Sequence, residues 1–315
     1  MCGISGILGN ADQATALAMA ACLRHRGPDG GGGFYDELEH GSVAFGHARL
    51  SIVDIEGSSQ PIESDHGAVL VQNGEIYNQL ELRSRCNAYP WRTSGDSEAI
   101  LALHRKAILT AGSFSEDPSS DHAGWVSLLD GIWGFALWDR ERRELLLSRD
   151  PMGVKPLLRT LLPDGTLLFA SEVKAFHAHP EFTARPDIDA LTVRLAYEYP
   201  LDSTTLFLGV TQVAPGTIES WSLNEDGRAV LNGVSKYSRD IISPAEHWDP
   251  SAQARILLDS FRDGLEDRMM SDVPIGIVLS GGLDSSLVAA LAHQVSLSAG
   301  KPVPECWTVA SSEDN

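Results

Sequence analysis

The strongest constraint on the fold is a strand–turn–helix–strand pattern near the C-terminus. The apolar segment Ile275–Leu279 is followed by the glycine-containing turn Ser280–Ser285 and by a helix predicted at Ser286–Val295. A second strand is predicted at Glu305–Ala310. Because two strands joined by a crossover helix run parallel, this pattern predicts a βαβ unit and the start of a parallel sheet.

A different pattern fills the chain up to about Ala178, where short apolar segments alternate with turn signals. This alternation is typical of a β-rich domain. The predicted strands are Val43–Phe45, Ala68–Val71, Gly134–Trp138, Glu144–Leu147 and Thr166–Ala170, and the predicted helices are Gln13–Leu23 and Ser97–Lys106. The sequence therefore predicts a mixed α+β domain before the parallel sheet.

Prolines divide the middle of the chain, so residues 179–250 are interpreted as a connecting segment with one helix at Ile188–Tyr197. Beyond it, apolar residues recur at four-residue steps: Leu257, Phe261, Leu265 and Met269. This spacing predicts a helix with one apolar face directed at a core.

An excess of acidic side chains excludes one class of partner. The chain has 43 Asp and Glu residues against 24 Lys and Arg residues, which gives a net charge of −19. A nucleic-acid-binding surface needs clustered positive charge, so we expect no nucleic-acid partner. The acidic balance is compatible with a halophilic source, where salt screens the repulsion between carboxylates, and equally with an ordinary acidic protein.

The apolar segments are short, and those as long as Ile275–Leu279 fall well below the roughly 18 residues that span a bilayer. The N-terminus also lacks a signal-peptide pattern, so we expect a cytoplasmic protein with no membrane partner. The cysteines Cys2, Cys22, Cys86 and Cys306 form no CxxC pair. Neither a zinc site nor a disulfide framework is predicted, and the last three are expected to be buried thiols.

Cys2 directly follows the initiator methionine. A small second residue permits removal of Met1, which leaves one residue with both a thiol and a free α-amine. Near neutral pH the amine can accept the thiol proton, so such a residue is its own nucleophile and base. The alternative is that Cys2 is an apolar residue that opens a strand.

Eight sequence strings in a fixed order favour the nucleophile interpretation. The first five are CGISGIL at Cys2–Leu8, RHRGPD at Arg24–Asp29, HARLSIVD at His47–Asp54, NGEIYN at Asn73–Asn78 and SGDSEAI at Ser94–Ile100. Together they resemble the class II glutamine amidotransferase domain. The last three are RDPMGVKPL at Arg149–Leu157, SEVKAF at Ser171–Phe176 and SDVPIGIVLSGGLDSS at Ser271–Ser286. They narrow the resemblance to the glutamine-hydrolysing asparagine synthetase family.

The resemblance implies a fold of the α+β class followed by one of the α/β class. The first is a four-layer αββα sandwich, the N-terminal nucleophile amidotransferase fold, and the second is the start of a parallel-sheet nucleotide-binding domain. Residues 1–178 would form the glutaminase domain, residues 179–250 the connection, and residues 251–315 an incomplete ATP-pyrophosphatase-type synthetase domain. Family members continue well beyond the position of Asn315, so a C-terminally truncated chain is expected.

The resemblance also implies roles at a glutamine site. Cys2 would be the nucleophile, and the Asn73 side-chain amide and the Gly74 backbone N–H would form the oxyanion hole. Arg49 would bind the glutamine α-carboxylate, because guanidinium pairs with carboxylate through two hydrogen bonds, and Glu75 and Asp96 would attract the α-ammonium. The full set of glutamine-binding residues is Arg49, Leu50, Ser51, Ile52, Val53, Asn73, Gly74, Glu75 and Asp96. His25 and His47 are interpreted as loop-shaping residues.

A second site is implied for ATP at the SGGLDSS loop. Its glycines let backbone N–H groups face an anion, and the following helix adds its positive N-terminal end. The chain has no GxxxxGK[ST] string, so this is not a Walker loop. The residues implied in ATP binding are Leu279, Ser280, Gly281, Gly282, Asp284, Ser285 and Val309, with Asp284 also assigned to Mg²⁺.

The leading functional interpretation is a glutamine-dependent asparagine synthetase. Ammonia released at Cys2 would pass internally to an ATP-activated, adenylated aspartate, giving asparagine, AMP and pyrophosphate. Two alternatives remain open at this point: an amidotransferase with a different acceptor carboxylate, and a chain that retains only glutamine binding or hydrolysis. A homodimer is likewise left open.

Overall fold

The computed structural model describes residues 1–111, 118–237 and 249–309. The chain divides into two compact units, Met1–Arg239 and Asp240–Asn315. The strands described in the first unit are β1 (Gly3–Gly9), β2 (Gly30–Leu38), β3 (Gly41–Arg49), β4 (Ile62–Glu63), β5 (Ala68–Ile76), β6 (Gly131–Asp139), β7 (Glu144–Arg149), β8 (Leu158–Leu161), β9 (Leu167–Ala170), β10 (Val210–Gln212), β11 (Thr217–Leu223) and β12 (Ala229–Lys236). Its helices are α1 (Gln13–Ala21), α2 (Gln79–Arg85), α3 (Glu98–Ala111), α4 (Pro118–Val126) and α5 (Ile188–Tyr197), with a 3-10 helix at Val173–Ala178.

The strands of the first unit form two antiparallel sheets of six strands each, in the orders β10-β8-β9-β1-β3-β2 and β12-β11-β7-β6-β5-β4. Successive residues of a strand point to opposite faces, so one strand serves two layers. In β1, Ile4 and Leu8 join an apolar cluster shared by both sheets, whereas Ile7 packs in a cluster with Met19 of α1. On the far side, Leu70 of β5 packs in a cluster with residues of α2, α3 and α4. The predicted αββα sandwich is therefore confirmed.

The first unit extends well past residue 178, where the sequence analysis ends it. Strand β10 pairs with β8, and β11 pairs with β7, so the segment interpreted as a connection supplies strands to both sheets. The buried run Thr217–Trp221 shows why, since its side chains complete the core next to β7. Prolines between these short strands conceal their membership of the sheets in the sequence.

The second unit contains α6 (Pro250–Arg268), β13 (Gly276–Val278), α7 (Leu283–Ser298) and β14 (Glu305–Trp307). Strands β13 and β14 are parallel and flank α7 in sequence, as the βαβ pattern predicts. Ala310, the predicted end of the last strand, lies outside the described residues.

The predicted apolar face of α6 is only partly buried. Met269 is buried beside Ala292 and Val295 of α7, and Leu265 packs against the same cluster. Leu257 and Phe261, by contrast, are 70% and 40% exposed. The four-residue spacing thus predicts the helix correctly but overstates how much of it is covered within this unit.

The cysteines differ from the sequence-based expectation. Cys86 is buried, but Cys22 and Cys306 are exposed. Cys22 is the C-cap residue of α1, and Cys306 lies in strand β14, whose residues are all exposed. His47 lies within β3, so it is a buried strand residue and does not shape a loop. Within the described ranges, no helix is both long and apolar enough to cross a membrane.

Candidate active site

Cys2 lies directly before β1, at one end of the sandwich. Strand β1 pairs with β3, with Gly3 opposite Ala48, so the residue that follows β3 comes to the thiol. The backbone N–H of Leu50 donates to the Cys2 sulfur over 3.4 Å, and the thiol lies 3.6 Å from the Leu50 carbonyl oxygen. Strand register therefore places the predicted nucleophile at the start of the predicted glutamine-binding segment.

Burial sets the proton affinity of both groups at the terminus. It raises the pKa of the Cys2 thiol, and the Leu50 N–H and the terminal amine offset part of that rise. Burial lowers the pKa of the terminal ammonium of Met1, with the cations of Lys155 and Arg26 acting in the same direction. Removal of Met1 frees a new α-amine on Cys2 itself. Buried surroundings favour the unprotonated form of an amine, which is the form that can accept the thiol proton.

Asn73 lies in β5 opposite Gly134 of β6. It is fully buried, and neither its amide nitrogen nor its amide oxygen has a hydrogen-bond partner in the described structure. It shares a strand face with Val71, which packs in the cluster between the sheets, as does Ile4, two residues after Cys2. A buried amide without a partner carries a desolvation cost unless a ligand satisfies it.

Gly74 follows Asn73 and pairs with Trp133. A Cβ atom at this position would lie 2.2 Å from the Ile132 carbonyl oxygen and 2.7 Å from the Trp133 Cα. Glycine is therefore required by the neighbouring strand.

Two carboxylates lie close to this position. Asp96 is 5% exposed, and its Oδ2 accepts a hydrogen bond from the Ile76 backbone N–H over 2.7 Å. Burial raises the pKa of Asp96. Burial also raises the pKa of Glu75, and the negative charge of Asp96 raises it further, while the nearby Lys155 cation opposes the rise. Two buried carboxylates are costly to ionise together, because their negative charges repel each other. A bound cation, such as an ammonium group, would offset this repulsion, so the pair provides a site for one.

Arg49 ends β3 and organises the loop that follows. Its two terminal nitrogens donate to the carbonyl oxygens of Asp54 and Ile55, each over 2.7 Å. The Ser51 N–H donates to Asp29 over 2.8 Å, and Asp54 adopts a left-handed backbone with φ of 49°. The segment Leu50–Val53 is thereby held as a half-buried loop that begins at the thiol.

Sequence reasoning overlooks three charged residues near the thiol. Arg26, named above only through the string RHRGPD, donates from Nε to the Cys2 carbonyl oxygen over 2.9 Å and from NH1 to Glu172 over 2.7 Å. Lys155 is 9% exposed, and burial lowers its pKa. All three lie inside the quoted sequence strings, but a turn composition or a charged side chain gives no sign of burial beside a distant thiol.

The predicted ATP loop lies in the second unit. Gly281 has φ of 81°, a backbone that favours glycine, and no atom of the described part of the chain lies within 4 Å of a Cβ built on it. Gly282 is the N-cap residue of α7. Because glycine has no side chain, it offers no side-chain acceptor to the first backbone N–H groups of the helix. The Ser280 and Ser285 hydroxyls contact each other over 3.0 Å. This open loop fits a phosphate group.

The remaining predicted ATP and metal ligands are less organised. Leu279 donates its N–H to the Trp307 carbonyl over 2.7 Å, and Val309 is 97% exposed. Asp284 is exposed, and no group of three metal-binding side chains occurs in the described part of the chain. A Mg²⁺ ion that is held mainly by substrate phosphates and water needs only one protein carboxylate. Asp284 fits this kind of Mg²⁺ binding, and the described residues do not fit a metal site made wholly of side chains.

Comparison with known families matches both units. Residues 1–232 match the glutamine amidotransferase domain family, and residues 257–309 match the asparagine synthase family. Asparagine synthetases 1 and 3 of Bacillus subtilis, both described as glutamine-hydrolysing, are 32% and 33% identical over 93% of this chain. That of Asparagus officinalis is 31% identical over 98% of it. The chain spans 44%, 45% and 44% of these three relatives, respectively.

Solved structures support the fold. The glutamine phosphoribosylpyrophosphate amidotransferase of B. subtilis, complexed with ADP and GMP, matches with a TM-score of 0.52 and 20% identity, covering 96% of this chain and 65% of that one. A structure described as the allosteric regulatory enzyme of purine biosynthesis matches with a TM-score of 0.52 and 19% identity, covering 96% and 64%. The chain therefore belongs to the glutamine amidotransferase domain family and is similar, across both units, to glutamine-hydrolysing asparagine synthetases.

Proposed function

We propose that this protein hydrolyses glutamine to glutamate and ammonia, with Cys2 as the nucleophile after removal of Met1. The observation that carries the proposal is the buried amide of Asn73, which has no hydrogen-bond partner among the described residues. Its strand neighbour Val71 packs in the same apolar cluster as Ile4, two residues after Cys2. An unsatisfied buried donor suits an oxyanion that forms only during reaction.

The proposed reaction proceeds through a thioester. The α-amine of Cys2 takes the thiol proton, and the sulfur attacks the side-chain carbonyl carbon of glutamine. Asn73 Nδ2 and the Gly74 N–H donate to the oxyanion, and the amine returns the proton to the leaving nitrogen, which departs as ammonia. Water then attacks the thioester, again with the amine as base, and releases glutamate and the thiol.

The remaining residues of the site bind the amino-acid end of glutamine. We assign the α-carboxylate to Arg49 and to the backbone of Leu50, Ser51, Ile52 and Val53. Glu75 and Asp96 receive the α-ammonium, which adds positive charge beside their buried pair.

By similarity to the relatives, we propose that the whole protein carries out glutamine-dependent asparagine synthesis in the cytoplasm, with aspartate and ATP as further substrates. ATP, with Mg²⁺, would supply an adenylate leaving group for the acceptor carboxylate. The residues that would hold it are Leu279, Ser280, Gly281, Gly282, Asp284, Ser285 and Val309, with Asp284 towards Mg²⁺. The support is the open amide loop before α7 together with the asparagine synthase match.

An electrophilic glutamine analogue that alkylates thiols tests the glutamine site directly. The proposal predicts one adduct on Cys2, located by peptide mass spectrometry, and protection by glutamine. Cys22 is a matched control because it is exposed and lies outside the site. Labelling of Cys22 and Cys2 at equal rates, without protection by glutamine, would contradict the proposal.

A further inference from the structure

An ion pair joins two segments on either side of the nucleophile. Arg26 lies a few residues after α1, and Glu172 lies just after β9. The Arg26 guanidinium donates from NH1 to the Glu172 carboxylate over 2.7 Å and from Nε to the Cys2 carbonyl oxygen over 2.9 Å. One planar group therefore connects the carboxylate to the backbone of the nucleophile.

Backbone near Cys2 is also held by hydrogen bonds that extend the pairing of β1 with β9 past its last strand pair. Strand β9 pairs with β1 from Ser5 to Leu8. Past that ladder, the Ser171 N–H donates to the Ile4 carbonyl over 2.9 Å, and the Ser171 hydroxyl accepts from the Ile4 N–H over 3.0 Å. Glu172 then reaches Cys2 through Arg26. The chain terminus, which is usually poorly ordered unless tied down, is thus bonded at successive points.

The carboxylate itself is fixed from two further directions. His25 Nε2 lies 3.0 Å from Glu172 Oε1, and Lys174 Nζ lies 3.2 Å from Oε2. The Arg26 side chain is 9% exposed and that of Glu172 is 28% exposed. Burial alone would raise the pKa of Glu172, but the hydrogen bonds from Arg26, His25 and Lys174 lower it to about 2. The carboxylate therefore stays charged throughout the pH range of an activity assay.

We propose that Glu172 is a positioning residue for the nucleophile: it fixes the Arg26 guanidinium, which in turn fixes the Cys2 backbone and the direction of its amine and thiol. This inference rests on the proposed glutamine hydrolysis. Small displacements of a reacting group reduce reaction rates strongly. Glu172 itself makes none of the contacts assigned to glutamine. Its loss therefore acts on turnover and leaves glutamine binding largely intact.

Glutaminase kinetics of Glu172→Gln, Arg26→Lys and the double variant test the inference. Each single variant should lower kcat at least about tenfold, with KM for glutamine within about threefold of wild type. The effects should not multiply in the double variant, because both substitutions break one connection. Glu39→Gln is the matched control, since it removes a carboxylate from an exposed pair with Arg143.

Each outcome separates the inference from the proposed function. An inactive wild type, or equal glutamate release by wild type and Cys2→Ala, contradicts glutamine hydrolysis itself. An active wild type with unchanged kcat in Glu172→Gln, or independent losses that multiply in the double variant, overturns only the positioning role. Thermal unfolding identifies any variant that fails to fold. If Glu172→Gln fails, Arg26→Lys decides alone, because lysine keeps the charge but cannot make both bonds, and an unchanged kcat there refutes the role.

Discussion

The backbone N–H of Leu50 donates a hydrogen bond to the Cys2 sulfur over 3.4 Å. This contact joins the proposed nucleophile to the first residue of the loop that we assign to glutamine binding. The contact follows from the antiparallel pairing of β1 with β3, because Cys2 immediately precedes β1 and Leu50 immediately follows β3. The thiol and the loop are therefore positioned by the same backbone register, and a substrate bound by the loop lies next to the sulfur.

Asn73→Ala should lower kcat for glutamine hydrolysis by about 10²–10³, the usual cost of losing an oxyanion-hole donor. KM should change little, because the donor acts chiefly in the transition state. The unfolding temperature should not fall by more than a few degrees, since the substitution removes a buried amide without a partner. Steady-state kinetics and thermal unfolding measure both. A change in KM alone would assign Asn73 to substrate binding.

Arg49→Ala should raise KM for glutamine strongly. The guanidinium is assigned to the α-carboxylate, and it also holds the Asp54 and Ile55 carbonyl oxygens. Arg49→Lys should not restore binding, because an ammonium cannot reproduce the planar arrangement of donors. Glutamine titrations of both variants check this. Wild-type KM in Arg49→Lys would show that only the charge matters.

Glu75→Gln should stabilise the ligand-free protein at high pH while weakening glutamine binding. Burial raises the pKa of Glu75 above its unfolded value of about 4.3, so the folded protein holds a proton that the unfolded chain releases. The associated stability is complete below the unfolded pKa and is lost as pH rises through the folded pKa. The amide side chain of the Glu75→Gln variant does not titrate, so the variant does not lose this stability as pH rises.

Thermal unfolding at pH 5 and pH 9, with and without glutamine, measures this difference. We expect the variant's advantage in unfolding temperature to grow from pH 5 to pH 9 in the absence of glutamine. An advantage that shrinks as pH rises would mean that Glu75 is stabilised as a carboxylate.

Gly74→Ala should destabilise the fold by about 1–3 kcal/mol, because its Cβ would meet the Ile132 carbonyl oxygen. Gly124→Ala is the control: it lies in helix α4, and among the described residues no atom is within 4 Å of a Cβ built there. Alanine at that position should be neutral or stabilising. Chemical denaturation compares the two. Equal effects would contradict the close approach of β6.

The sequence predicts the βαβ unit correctly, because this feature depends on a local pattern. The placement of Asn73 and Asp96 in one glutamine site comes from recognisable strings and stays a prediction. The sequence does not predict that Val210–Gln212 and Thr217–Leu223 belong to the first unit, since their partners β8 and β7 lie far along the chain. Arg26 and Glu172 escape prediction for the same reason. Their importance comes from a contact between residues 146 positions apart.

Glutamate release by the purified chain shows whether Cys2 is the nucleophile, and it is measured for wild type, Cys2→Ala, Cys2→Ser and the control Cys22→Ala. We expect hydrolysis by wild type lacking Met1 and by Cys22→Ala. We expect none above background from either Cys2 variant, with all four proteins equally folded by circular dichroism. Hydrolysis by Cys2→Ala at the wild-type rate would rule out Cys2 as the nucleophile.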